Sequence, residues 1–481
     1  MVSGLRTRIL PASWAILGGG RVLCLAGVQV ESLFDEVLPI EVRELPGDLA
    51  RLDGLLGDPA LLAPIAGQWE AAARDRGRPT IAISLFVRMM VVKQRTGWGY
   101  ETLVREVSDS LHLRRFVGLS LTASVPHEST VRKLVRRLGP EVIDEMTRLL
   151  VQTALREKRF AARAMRVDST VVEADVRWPS DAALAHDATR LLAREGARVA
   201  ALVGHGAQHV RDRSRAAGRR LRLIGRTVGR RLGRAGGARE QVLGWTAETG
   251  ELVRRSVREA RRLAGQSRES ARGRDAPRKL AAAARLEVLA ERAEKVSRQI
   301  AQRVAGEQIS DRLVSLADPD ARPISKGKLG KRYEFGYVFQ IAELTENTRR
   351  GARGLILPAA SRIGSPNDPE LLPVIVDELD RLGVRLREAA FDGGFSPEQT
   401  NRLLPHSAVF VAGRQQPESR RPRKRLAGYR VGAEGRISHL KRSYGLRRSR
   451  LRRHDGARAW VGWGILAYNL DTLAARTVQT A

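Results

Sequence analysis

Across residues 31–160, apolar positions recur at helical spacing, with charged residues filling the gaps. Leu85, Phe86, Met89 and Met90 share one helical face, and Gly97-Trp98-Gly99 interrupts the pattern. The periodicity resumes over 100–113. Ser129-Thr130 then stands where it can cap a helix carrying Val131, Leu134, Val135 and Leu138. Short helices joined by tight turns are predicted. With arginines at 132, 136 and 137, two readings stay open: a helix-turn-helix-like DNA reader, or a helical bundle with a solvated basic face.

The texture changes near Met165. The run RVDSTVVEADV is β-branched and alternates, which predicts a strand. Residues 181–305 then hold one aromatic residue, Trp245, and one proline, Pro277. Leu221, Ile224, Val228 and Leu232 keep helical spacing, as do Leu286, Leu289, Ala293, Val296 and Ile300. Two to four long helices are predicted here, as antiparallel hairpins with arginine-rich outer faces. Strand texture returns over 333–344, 354–361, 387–392 and 408–412. A helical pattern over 369–382 and a capped start at Ser396-Pro397-Glu398-Gln399 separate the later strands. The predicted division is therefore an all-α part at 31–160, an α/β part at 161–180 and 306–475, and a helical insert at 181–305.

Residues 1–30 are set aside as an extension. Residues 9–28 are apolar behind two arginines, but Arg21 splits the run and no small-residue cleavage site follows. A poorly ordered extension or an upstream start codon is the expectation, rather than an export signal.

Charge narrows the function. The chain carries 85 Lys+Arg against 53 Asp+Glu, a formal net charge of +32. Such self-repulsion calls for a polyanionic partner, and arginine suits bidentate contact with phosphate. Nucleic acid is the first candidate. An anionic membrane surface is weaker, since no stretch approaches the roughly 18 uninterrupted apolar residues of a spanning helix. The single cysteine, Cys24, excludes an internal disulfide and a thiolate zinc site, and the chain reads as cytoplasmic. Neither a GxSxG elbow nor a P-loop is present.

Three acids stand out by position. Asp168 lies inside the first predicted strand, Asp392 ends another just before Gly393-Gly394, and Glu434 opens a predicted helical run, AEGRISHLKRSYGL. Singly, each has an ordinary reading as a turn residue or a helix-dipole partner. As a set at the strand ends of an α/β crevice, they would hold hard divalent cations for phosphoryl transfer. Arg430 and Lys441 fall within about 40° of Glu434's helical stripe. Residues 413–458 hold 16 Lys+Arg and only three acids, which favours a ligand role for Glu434 over a salt-bridge role. The apolar face of Trp460, Trp463, Leu466, Leu470 and Leu473 reads as core packing. Lys326, Lys328 and Lys331 either grip phosphate or are solvated.

In order and spacing these motifs resemble the Asp–Asp–Glu transposases of bacterial insertion sequences. The C-terminal signature of that family is Tyr-x2-Arg-x3-Glu-x6-Lys. Arg430, Glu434 and Lys441 match it, while the tyrosine position holds Ala427 and Tyr429 is out of register. VDST at Asp168 and AFDGGFS at Asp392 resemble the first and second acid motifs. Stretches 318–337 and 438–451, and GRPT at Gly77, resemble the family too, so the likeness spans residues 31–475.

The resemblance implies a ribonuclease H-like mixed-sheet catalytic core, interrupted by a long helical insert and preceded by an all-α N-terminal, DNA-binding domain. It implies that Asp168, Asp392 and Glu434 are catalytic and bind two Mg²⁺ ions, with Mn²⁺ able to substitute. Arg430, Lys441, Arg436 and Arg442 would contact DNA. The partners implied are double-stranded DNA, as terminal inverted repeats and target, and a homodimer or larger synaptic complex at the nucleoid. The insert departs from the simplest core, and its role is open. The competing readings are a decayed or domesticated DNA-binding protein without catalysis, and a nuclease that never joins ends.

Overall fold

The computed structural model describes residues 14–17, 21–24, 36–71, 81–229, 237–328 and 331–477. These form two compact units, one of residues before Asp175 and after Gly336, the other of Asp175–Gly336.

The first unit opens with an antiparallel hairpin, β1 (Trp14–Leu17) and β2 (Arg21–Cys24), inside the segment set aside as an extension. Helices α1 (Ile40–Arg43), α2 (Gly47–Leu56), α3 (Ala63–Ala71) and α4 (Ile83–Thr96) follow. Gly97 ends α4 at φ 72° and donates its N–H to the Lys93 carbonyl, a left-handed cap that glycine adopts without a Cβ penalty. The predicted run 100–113 is two helices, α5 (Tyr100–Asp109) and α6 (Leu111–Val117). Ser110 divides them, because its hydroxyl accepts the Leu113 N–H at 3.2 Å and starts a new helix. Helix α7 (Glu128–Arg137) is capped by His127 rather than Ser129-Thr130, with Nδ1 accepting the Ser129 N–H at 3.2 Å. Helix α8 (Pro140–Arg156) leads into β3 (Ala164–Glu173).

The second unit holds four α-helices among its described residues: α9 (Asp181–Val203), α10 (Ser214–Gly229), α11 (Ala238–Glu269) and α12 (Ala276–Val304). Helices α11 and α12 run antiparallel, as the pairs Arg261–Glu294 and Arg268–Glu287 require. Their core is rich in small residues, including Ala260, Ala264, Ala290 and Ala293. A Cβ on Gly250 would lie 2.9 Å from the Ile300 side chain, so glycine permits this close approach. Strand β4 (Arg322–Lys328) pairs antiparallel with the start of β5 (Lys331–Thr345), Ser325 facing Tyr333. The side chains of Lys326, Lys328 and Lys331, and the GRPT stretch at Gly77, lie outside the described residues.

From Tyr337 the chain belongs to the first unit again. Strands β6 (Leu355–Ile356) and β7 (Ala360–Ser361) pair antiparallel with β5, and β5 neighbours β3. Helix α13 (Asp368–Arg381) precedes β8 (Glu388–Phe391), which pairs parallel with β3. Helix α14 (Pro397–Leu403), capped by Ser396 as predicted, leads to β9 (Ala408–Val411), parallel to β8. Helix α15 (Arg420–Ser443) packs on β3 and β8 through Leu426 and Tyr429, and α16 (Arg453–Thr477) ends the described chain. Trp460, Trp463, Leu466, Leu470 and Leu473 of α16 are all buried. Helix α16 packs on α4 and α8, with Trp463 edge-on to Phe86 at 5.8 Å. This shared core is why the N-terminal helices and the sheet form one unit.

One prediction needs correcting. The helix carrying Glu434 starts at Arg420, so Glu434 stands mid-helix rather than at a helix start. Arginine and lysine are good helix formers, and Pro422 falls in the first turn, where its missing N–H costs no bond. A helix-dipole role for Glu434 is thereby removed.

Candidate active site

Strand pairing sets the first two acids side by side. Arg166 of β3 faces Ala390 of β8 across a parallel pair. Two residues further on stand Asp168, within β3, and Asp392, just past the end of β8. Helix α15 brings Glu434 to them through Arg430. The Arg430 guanidinium donates from Nη1 to Asp392 Oδ1 at 3.2 Å and from Nη2 to Glu434 Oε1 at 2.7 Å. It is only 16% exposed, against 49% for Asp392 and 60% for Glu434, so the cation lies beneath two accessible carboxylates. Asp168 accepts the Ser169 N–H, and Asp392 the Gly393 N–H, each at 2.8 Å.

Gly393 and Gly394 serve close approach rather than a turn that needs positive φ. Neither has positive φ. A Cβ on Gly393 would lie 2.9 Å from the Ala412 carbonyl oxygen, and one on Gly394 3.3 Å from Asp368 Oδ2. Asp368 is a fourth carboxylate that the sequence reading missed. It is the first residue of α13, after the capping Asn367, so locally it looks like an ordinary helix start.

These neighbours act on Asp168. Burial pushes its carboxyl up to about 6; the Ser169 N–H and Arg430 oppose this, while the charges of Asp392 and Asp368 add to it. A raised folded-state pKa gives stability that is present at low pH and lost as pH rises through about 6. Asp168→Asn is therefore expected to raise the metal-free thermal midpoint by about 1–2 °C at pH 8, an effect of about 1 kcal/mol after allowance for solvent screening. The gain should shrink as pH falls below 6. Differential scanning calorimetry across this range checks it, and a gain equally large at pH 5 would contradict it.

Among the described residues, no group of three His, Cys, Asp or Glu side chains is gathered closely enough to hold a metal ion. Arg430 stands between two of the three predicted ligands. The donor chemistry nonetheless fits a hard divalent cation: the set is all carboxylate, the charge of Asp392 adds to the raised pKa of Asp168, and a cation already bridges Asp392 and Glu434.

The predicted DNA contacts divide. Arg442 is exposed and Lys441 half-buried near the end of α15. Arg436 turns inward, its Nε donating to buried Glu343 at 2.9 Å. Tyr429, out of register with the signature tyrosine, is buried, its hydroxyl bonded to Thr345 at 2.6 Å.

Under the acids lies a buried charge network. Arg166 donates from Nε and Nη2 to Glu343 Oε2 at 2.8 and 2.6 Å, and to the Tyr429 and Ala352 carbonyls at 3.1 and 2.8 Å. Glu343 Oε1 accepts from Arg436 Nε and the Gly354 N–H, each at 2.9 Å. A Cβ on Gly432 would fall 1.9 Å from Arg166 Nη1, so α15 fits over the arginine only because that position is glycine. The network pins the helix that carries Arg430 and Glu434. Its sequence trace was a charged residue within each of two apolar strands.

Residues 44–137 match the family described as Transposase domain (DUF772). This supports a transposase, a DNA-processing enzyme with DNA as its partner. The match ends before β3, so the carboxylates lie outside it. No curated protein and no solved structure matches the chain. Among the described residues, no helix is long and apolar enough to cross a membrane.

Proposed function

We propose that the chain is a transposase of the Asp–Asp–Glu type, cleaving and transferring DNA strands at the ends of an insertion sequence. The observation that carries this reading is the convergence of Asp168, Asp392 and Glu434 around Arg430, in a chain whose N-terminal helices match a transposase domain. The sheet supports a ribonuclease H-like core: β5 and its antiparallel partners flank one side of β3, and parallel β8 and β9 the other.

Asp168, Asp392 and Glu434 would hold Mg²⁺, or Mn²⁺ in its place. The bound ions would supply Lewis acidity and lower the pKa of a water or a DNA 3′-OH. Arg430 holds the acids' charges together in the free protein. Once those charges are met otherwise, its planar fork is released to bind a phosphate bidentately. Lys441 and Arg442 extend the same helix toward flanking phosphates, whereas Arg436 serves the buried network. The DNA bound would be the element's inverted repeats and the target, and a homodimer or larger assembly would bring two ends together. The reading is tested by cleavage of duplex DNA carrying the gene's flanking repeats, in Mg²⁺ and in EDTA. Cuts at the repeat ends in Mg²⁺ alone are expected.

A further inference from the structure

The second unit handles its arginines in two ways. On α9, α11 and α12 many exposed ones are paired, as Arg198 with Glu195 at 3.1 Å, Arg255 with Glu251 at 3.2 Å and Arg261 with Glu294 at 2.8 Å. Helix α10 is different: its 16 residues, SRAAGRRLRLIGRTVG, include five arginines and no acid. Arg220 pairs with Glu248 at 2.7 Å, and Arg215 feels the charge of exposed Asp212. Arg219, Arg222 and Arg226 are exposed and make no hydrogen bond or ion pair among the described residues.

Their placement on the helix is ordered. Arg215, Arg219, Arg222 and Arg226 fall within about 60° of arc at 100° per residue, on the side opposite Ala217. Ala217 and Gly218 are the buried face, and Arg213 clamps the helix start to Glu259 with contacts of 2.5 and 2.7 Å. The helix is thus held along one side and shows a cationic stripe about 16 Å long on the other. Like charges at i, i+4 destabilise a helix by a few tenths of a kcal/mol per pair, and the neighbouring helices offset this with glutamates. The missing counter-charge on α10 points to a partner that brings its own.

We propose that this stripe binds the phosphate backbone of duplex DNA, a contact of α10 additional to the carboxylate site. The inference rests on the reading of DNA as the chain's partner. Charge complementarity favours the backbone: exposed guanidinium groups without a counter-charge suit phosphate oxygens, and they are assigned to phosphate rather than to base edges. Leu221 and Ile224 point to the opposite, half-buried side; exposed Leu223 flanks the stripe singly and Val228 lies on the far side, so no continuous apolar face accompanies the arginines for a lipid surface.

The test uses the full chain and a random-sequence duplex, with affinity measured over a series of salt concentrations. The variant Arg219→Gln/Arg222→Gln/Arg226→Gln keeps good helix formers, and circular dichroism verifies its fold. Each lost phosphate contact flattens log K against log salt by about 0.9, so the variant's slope should be shallower by about 2.7. A control, Arg198→Gln/Arg255→Gln/Arg261→Gln, removes the same net charge from paired positions and should change the slope by less than about 1. Equal flattening by both variants would overturn the proposal, since bulk charge would then explain it. An unchanged slope in the first variant would also overturn it, as would loss of binding to phosphatidylserine vesicles with the DNA slope intact. A wild-type protein with no salt-dependent DNA binding would instead refute the underlying DNA reading.

Discussion

Replacing Asp392 with alanine is expected to lower strand cleavage at least about a thousandfold, as removal of a group acting in the transition state does. DNA binding should stay within a few-fold of the parent. The two effects separate because of where Asp392 sits. It is half exposed, just past the end of β8, and its partners are the Gly393 N–H and Arg430. Removing it creates no buried cavity and leaves Arg430 paired with Glu434 at 2.7 Å. It also removes one of the charges that raise the Asp168 pKa, so the fold is expected to tolerate the change. Equal cleavage by variant and parent, in a gel assay on end-labelled duplex, would remove Asp392 from the active site.

The second large effect is on stability. Glu343→Gln takes the anion from between Arg166 and Arg436, whose side chains are 2% and 12% exposed. Breaking a buried pair by removing one partner typically costs about 3–5 kcal/mol, because the remaining charge stays desolvated. The thermal midpoint should fall by roughly 5 °C. Surviving folded protein should also cleave poorly, since Arg166 holds the Tyr429 carbonyl and so the position of α15. Denaturant unfolding gives the value. A loss under about 1 kcal/mol would show that the two guanidinium groups find water, and that the network does not pin the helix.

Local chemistry made part of this site legible. Asp168 announced itself inside an alternating β-branched run, and Asp392 at the end of an apolar one, because strand texture depends on near neighbours. Glu434 was found through Arg430 and Lys441, which a helix places on one stripe. The start of its helix was misread: the apolar period Leu426, Tyr429, Ala433 is submerged in the arginines of 420–425, and it becomes a buried face only against the sheet. Ser110 broke a helix for a similarly subtle reason, a single hydroxyl that caps the next one.

Other features depend on residues far apart in sequence. Gly393 and Gly394 suggested a turn, and the Phe395 N–H bonds the Asp392 carbonyl across them, but the need for glycine at Gly393 comes from the Ala412 carbonyl, brought in from another element. Arg166 and Glu343 are 177 residues apart, and Arg436 a further 93. In sequence, Arg436 was indistinguishable from the other cations of its own helix, Arg430, Lys441 and Arg442. Only the fold shows its guanidinium turned to a buried acid. Asp368 hid for the opposite reason, since its helix-capping setting already accounts for an acid there.

The most direct test is to incubate the full chain with duplex DNA carrying its gene's flanking repeats and a supercoiled target plasmid, in Mg²⁺ and in EDTA, and to sequence the products. A transposase of the Asp–Asp–Glu type predicts cuts at the repeat ends and covalent joining of the freed 3′ ends to the plasmid, both abolished by EDTA. Tight binding to the repeats with no cut in Mg²⁺ or Mn²⁺, or cuts that never yield a joined product, would contradict it.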